Sequence, residues 1–271
     1  MALINLAKEL VIIEVSGADS TTYLQGQLTN DIKELQSKSF QFSAHLNNKG
    51  RIIASFIITS PLENTYWLIT SKSMAEKIIP RLKMFILRSK VTLNISTKNI
   101  FAADSIIENT YSIALNSNYF LVISDQELST QEDDNLWHKI LVDSAIPMIY
   151  SDTSEKIIPQ QVNYDLIGGI NFKKGCYTGQ EIVARTHYLG KTKRRMQQFT
   201  SKNLPIIGQT VVSPKLDNQE IGFIVDFYQE NQLYYGLASL QINCSDNAYL
   251  DIENIQPLQC KSLINETSQE N

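Results

Sequence analysis

Short runs of β-branched and aromatic residues, each closed off by Asn, Asp, Gly or Pro, recur along almost the whole chain and leave room for only a few helices. Residues 10–15 (LVIIEV), 65–71 (TYWLITS), 91–96 (VTLNIS), 111–115 (YSIAL) and 119–124 (YFLVIS) read as strands. Residues 40–46 and 51–60 flank Asn47-Asn48-Lys49-Gly50, the turn chemistry of a hairpin. Helices are predicted over 18–28, over 73–88 with an interruption at Pro80, over 136–145 up to Pro147, and over 180–188 up to Gly190. Residues 151–169 are polar and turn-rich and predict a long ordered loop. Beyond Arg195 the pattern is β alone, at 196–201, 209–213, 220–228, 233–240 and 248–255, which suits a small closed sheet or barrel. The expectation is an α+β fold: an N-terminal part over 1–190, a C-terminal β-barrel domain over 195–262, and a fraying tail at 263–271.

Charge and cysteine usage remove several classes of function. With 24 Lys and Arg against 28 Asp and Glu, the net charge of −4 argues against bulk, sequence-independent binding to nucleic acid. The distribution is uneven, however. Residues 173–195 hold Lys173, Lys174, Arg185, Lys191, Lys193, Arg194 and Arg195 against the single acid Glu181, which predicts either an anionic partner or a solvated basic loop. The three cysteines, Cys176, Cys244 and Cys260, form no C-x-x-C pair, and His45, His138 and His187 lie far apart, so no metal site is predicted. The N-terminus lacks a basic leader with a cleavage site, and the longest apolar stretch, 52–58, is too short to span a bilayer. The expected location is the cytoplasm, with no membrane partner.

Chemistry concentrates in the run Lys173-Lys174-Gly175-Cys176-Tyr177-Thr178-Gly179-Gln180-Glu181. Two lysines and the N-terminus of the following helix place positive charge near Cys176, and both effects favour the thiolate. Gly175 and Gly179 permit tight turns or the close approach of a ligand. Glu181 and Arg185 stand four apart on the helix and are placed to pair. The plainer reading makes Cys176 a buried packing residue in a glycine-rich bend beside two surface lysines.

The segment KKGCYTGQEIVAR resembles the signature of the YgfZ family, and GADSTTYLQGQLTNDI, AHLNNKGRI and IPQQVNYDLIGGINFKKGC resemble further family segments in the same order. The resemblance covers most of the first 195 residues. It implies the fold of the glycine-cleavage T-protein, with two interleaved α+β lobes, a C-terminal barrel and a central cavity for tetrahydrofolate or a derivative. It also implies a role in maintaining iron–sulfur enzymes, notably those that methylthiolate tRNA, with Cys176 as the key residue. By the same resemblance Trp137 takes the place of one folate-contacting tryptophan, and Leu10 stands where a second would be. In aminomethyltransferases the strand after the hairpin turn carries an Asp pair; here Ala54 and Ser55 occupy the matching stretch, which counts against aminomethyl transfer. The anionic partner then becomes a folate polyglutamate tail, a tRNA or an acidic protein. Three functions remain open: a folate-dependent factor for iron–sulfur clients, a one-carbon transferase, and a tRNA-binding accessory protein.

Overall fold

A computed structural model describes residues 3–133, 135–190, 192–250 and 256–264; Lys191, part of the expected strand 248–255 and most of the expected tail lie outside them. The chain begins with β1 (Leu3–Asn5), β2 (Leu10–Ser16) and α1 (Ser20–Gln27), then forms β3 (Gln41–Leu46), β4 (Ile52–Leu62) and β5 (Thr65–Ser71). Helix α2 (Ala75–Met84) precedes β6 (Thr92–Ile95), β7 (Asn99–Ala103), β8 (Tyr111–Ala114) and β9 (Phe120–Ser124). After α3 (Leu136–Asp143) and α4 (Gln180–Tyr188) come β10 (Arg194–Ser201), β11 (Thr210–Ser213), β12 (Gln219–Glu230), β13 (Leu233–Gln241) and β14 (Gln259–Ser262).

Three antiparallel sheets result. The order is β3-β4-β5-β2-β6 in the first, β1-β7-β9-β8 in the second and β11-β12-β13-β10-β14 in the third. The chain starts in the second sheet with β1, crosses into the first for β2 to β6, and returns to pair β7 with β1. The first sheet is buried on both faces. One face packs Ile13, Val15, Phe56, Ile58 and Leu68 against α1 and α2, where Leu24, Ile78 and Leu82 are fully buried. The other packs Leu10, Ile12, Ile57, Trp67 and Ile69 against the second sheet and α3. This two-sided burial explains the near-continuous apolar run in β4. Each fully buried Leu or Ile stabilises by about 1.5–3 kcal/mol.

Several expectations about the elements are corrected. Pro80 does not interrupt α2, because it faces solvent, where water can satisfy the carbonyl left without a donor. The helix instead ends at Met84, short of 88. The loop 151–169 contains a turn of tight helix, Pro159–Val162. Strands β1, β7 and β14 are additional to those the pattern predicts, and each is only three to five residues long. The described C-terminal strands pair in the order β11-β12-β13-β10-β14, with no β11–β14 pairing among the described residues. An isolated antiparallel bridge joins Val212 of β11 to Tyr249. Among the described residues no helix is long and apolar enough to cross a membrane.

Candidate functional site

The segment around Cys176 is a loop pinned at three points. The first is Lys174. It is not a surface lysine: its side chain is buried, and its ammonium donates to the carbonyls of Gln25, Leu28 and Asn30 at 2.8, 2.6 and 2.9 Å. These lie at and just past the C-terminal end of α1, where carbonyls lack helical partners and a cation is favoured by the helix dipole. His45 completes the same end, its Nδ1 bonding the Gln27 carbonyl at 2.9 Å. Burial pulls the Lys174 pKa down from 10.5 to about 8, against the opposing pull of the Asp31 carboxylate, so the group is still mainly ammonium near neutral pH. Its charge is therefore directed into the fold, and Lys173, which is exposed, is the lysine left on the Cys176 surface.

The second pin is Tyr177, a buried ring 5.2 Å from the Lys174 ammonium. The third is Gly179, the residue before α4, with φ +80°. A Cβ there would lie 2.5 Å from the Asn47 carbonyl oxygen and 3.0 Å from the Gly50 Cα. Gly50 has φ +69° and would itself meet Ile182 at 2.8 Å. The hairpin turn and the cysteine motif thus touch glycine to glycine, backbone against backbone. Gly175 differs: nothing lies within 4 Å of a Cβ built there, so it faces open space.

Between these pins Cys176 is exposed, whereas Cys244 is buried and Cys260 is half-buried. Burial, with the Asp246 charge adding to it, pushes the Cys260 thiol up to about 12. Helix α4 carries the expected pair, with Arg185 3.1 Å from Glu181, and both are exposed; Gln180 opens the helix.

Part of the basic run is engaged within the fold. Arg195 is locked to both carboxylate oxygens of Asp165 at 2.7 and 2.9 Å and to the Gln160 carbonyl at 2.9 Å. Arg194 reaches Glu220 at 3.4 Å. Lys193 is exposed. The acids that answer these arginines come from distant parts of the chain.

Beside the motif lies a cleft of about 370 Å³, lined by residues that include Glu34, Lys38, Phe172, Lys173, His187 and Tyr188. Trp137 and Leu10 lie elsewhere, in the core between the first two sheets, at 1% and 3% exposure. The indole Nε1 of Trp137 is buried with no hydrogen-bond partner among the described residues, an arrangement that costs roughly 1–3 kcal/mol unless something accepts from it. At the position of the transferase carboxylates, Ala54 and Ser55 are buried, and the Ser55 hydroxyl accepts from the Ile149 N–H at 2.9 Å.

One polar cluster escaped the sequence reading. Asp226, fully buried on β12, bonds His138 Nδ1 at 2.6 Å and accepts from the Tyr150 hydroxyl at 2.7 Å. Burial lowers the His138 pKa, but the hydrogen bond and charge of Asp226, with Glu9 3.8 Å from Nε2, outweigh it and raise the group above its usual value. The available signal was a lone acid inside the apolar run 221–228. Asp226 sits at a register shift of β12, a place where bulges re-aim side chains. The cluster joins α3 to the third sheet.

Comparison with known proteins agrees with this architecture. The family model described as the GCVT N-terminal domain matches residues 4–103. The chain is 31% identical over 256 residues to the tRNA-modifying protein YgfZ of Photobacterium profundum, covering 82% of this chain and 77% of that one. It is 30% identical to the tRNA-modifying protein YgfZ of Aliivibrio fischeri, over 80% of this chain and 78% of that one. The crystal structure of the glycine cleavage system aminomethyltransferase T from Bartonella henselae superposes with a TM-score of 0.66 at 13% identity, over 90% of this chain and 79% of that one, a likeness of fold. With a T-protein-like fold and YgfZ relatives that match it along most of its length, the chain belongs to the YgfZ family.

Proposed function

We propose that this protein is a cytoplasmic, folate-binding factor of tRNA modification that sustains iron–sulfur enzymes, such as those that methylthiolate tRNA, through the thiol of Cys176. The observation that carries the reading is the exposure of that one thiol on a loop whose neighbours Lys174 and Tyr177 are buried and held. The YgfZ relatives bear the name tRNA-modifying protein, which supports the tRNA context.

The described residues fit a folate in one respect. Trp137 carries a buried, unpartnered N–H, and an acceptor on a bound heterocycle would satisfy it. Trp137 and Leu10 would hold the ring, and bound tetrahydrofolate would supply one-carbon carrier chemistry. Because Trp137 is packed on all sides, such binding requires the core between the two lobes to open locally. Residues 1–190 are read as the folate-binding unit and 195–262 as a C-terminal β-barrel domain. Aminomethyl transfer is disfavoured, since neither Ala54 nor Ser55 can take a proton from a folate amine.

The test is complementation. A strain lacking the gene is supplied with the wild type, Cys176→Ala or Cys176→Ser, and tRNA methylthiolation is measured. Wild type restores it and both variants, present at equal level, do not. Full rescue by the serine variant would remove thiol chemistry from the function.

A further inference from the structure

We propose that the cleft between the 168–173 loop and the end of α4 is a stacking site for an unpaired base of an RNA strand, with Tyr188 as the platform. The proposal rests on the tRNA-modification reading above and gives it a contact surface. Three observations carry it.

The first is a preassembled aromatic tier. The His187 ring stacks on Phe172 at 3.8 Å and 13°, and Tyr188 packs edge-on to both, 4.7 Å from His187 and 6.3 Å from Phe172. Tyr188 is nevertheless 65% exposed. A tyrosine fixed from below and open above loses little conformational freedom when a flat ring lands on it. Leu189, the next residue along, is 85% exposed.

The second is charge. Glu34 is the acid in the cleft, and it is already engaged by Lys38 at 2.5 Å and by the Asn171 amide at 2.8 Å. Lys173 enters no ion pair among the described residues, and it lines the same cleft. That leaves one cation over for a phosphate beside the aromatic tier. A chain of net charge −4 has little bulk attraction for RNA, so binding here depends on this local pairing of ring and cation.

The third is that the Asn30 amide is spent within the fold, while Asn171 keeps one amide N–H. Asn30 donates to the carbonyls of Phe42 and Gly168 and accepts from the Asp31 N–H. Asn171 donates to Glu34 and accepts from the Lys173 N–H. Stacking and phosphate contact then carry most of the recognition, which is largely tolerant of base identity. Cys176, three residues beyond Lys173, is exposed on the same loop.

The test uses a short fluorescein-labelled single-stranded oligoribonucleotide, read by anisotropy with the full chain, with a duplex of the same composition as competitor. Wild type binds the single strand and the duplex competes poorly. Tyr188→Ala weakens binding roughly ten-fold and Tyr188→Phe stays within about two-fold, since the ring and not the hydroxyl is used. Lys173→Ala lowers the salt dependence by about one phosphate contact. Tyr188 is exposed, so its variants keep the fold. Equal binding by wild type and Tyr188→Ala, or no binding by wild type at roughly 0.1 mM protein, overturns the site. Either result leaves the complementation by Cys176 as an independent measure of the parent reading.

Discussion

Replacing Lys174 with Met removes three donors from buried carbonyls while keeping the length and much of the volume of the side chain. Each carbonyl left unpaired costs about 1–3 kcal/mol, so the gross loss is roughly 3–9 kcal/mol. Removing a buried ammonium also relieves its desolvation. The fall in pKa from 10.5 to about 8 corresponds to ~3 kcal/mol at ~1.4 kcal/mol per unit. The hydrogen bonds win, and the net destabilisation centres on about 2.5 kcal/mol, read by urea unfolding followed through tryptophan fluorescence. Cys176 alkylation should change as well, because the loop loses its attachment to the end of α1. The pH dependence has a definite sign. Between about pH 8 and pH 10.5 the unfolded chain holds a proton that the folded protein has released, so stability rises with pH there. From about pH 7 to pH 9 the wild type should gain ~1 kcal/mol relative to Lys174→Met. A net loss under ~0.5 kcal/mol, or a wild type that loses ground to the variant as pH rises, would refute the assignment of Lys174 as the cap of α1.

Gly179→Ala should destabilise by roughly 2–4 kcal/mol in denaturant unfolding, from a strained φ and a Cβ 2.5 Å from the Asn47 carbonyl, whereas Gly175→Ala should unfold like wild type because its Cβ meets nothing. His45 is fully buried, and burial first, then the Arg81 charge, holds its pKa near about 4 against the Gln27 hydrogen bond. The unfolded chain therefore takes up a proton first, and the His45 contribution, intact above about pH 6.5, declines by ~2 kcal/mol as pH falls to about 4.5; His45→Gln should flatten that part of the stability profile. Titrating tetrahydrofolate into wild type and Trp137→Phe by calorimetry should show binding that weakens in the variant, and equal affinities would take Trp137 out of the folate site.

What could be read without coordinates was whatever depends on neighbours along the chain. Alternation and turn chemistry located β2 to β5 and the Asn47–Gly50 hairpin, because side-chain period and positive-φ turns are local properties. The cysteine run and its family were legible for the same reason: they lie in one continuous segment. The Glu181–Arg185 pair followed from helical spacing alone. Tertiary structure decided the rest. Whether Lys174 is a surface charge or a buried cap depends on α1, some 150 residues away, presenting carbonyls that need a donor. Whether Arg195 belongs to a basic patch depends on Asp165 folding beneath it. The contact of Gly50 with Gly179, the union of His138 with Asp226, and the burial of Trp137 are likewise agreements between distant segments. A lysine, a glycine or a tryptophan has the same local signature in either role, and only the packing of remote backbone against it selects between burial and exposure.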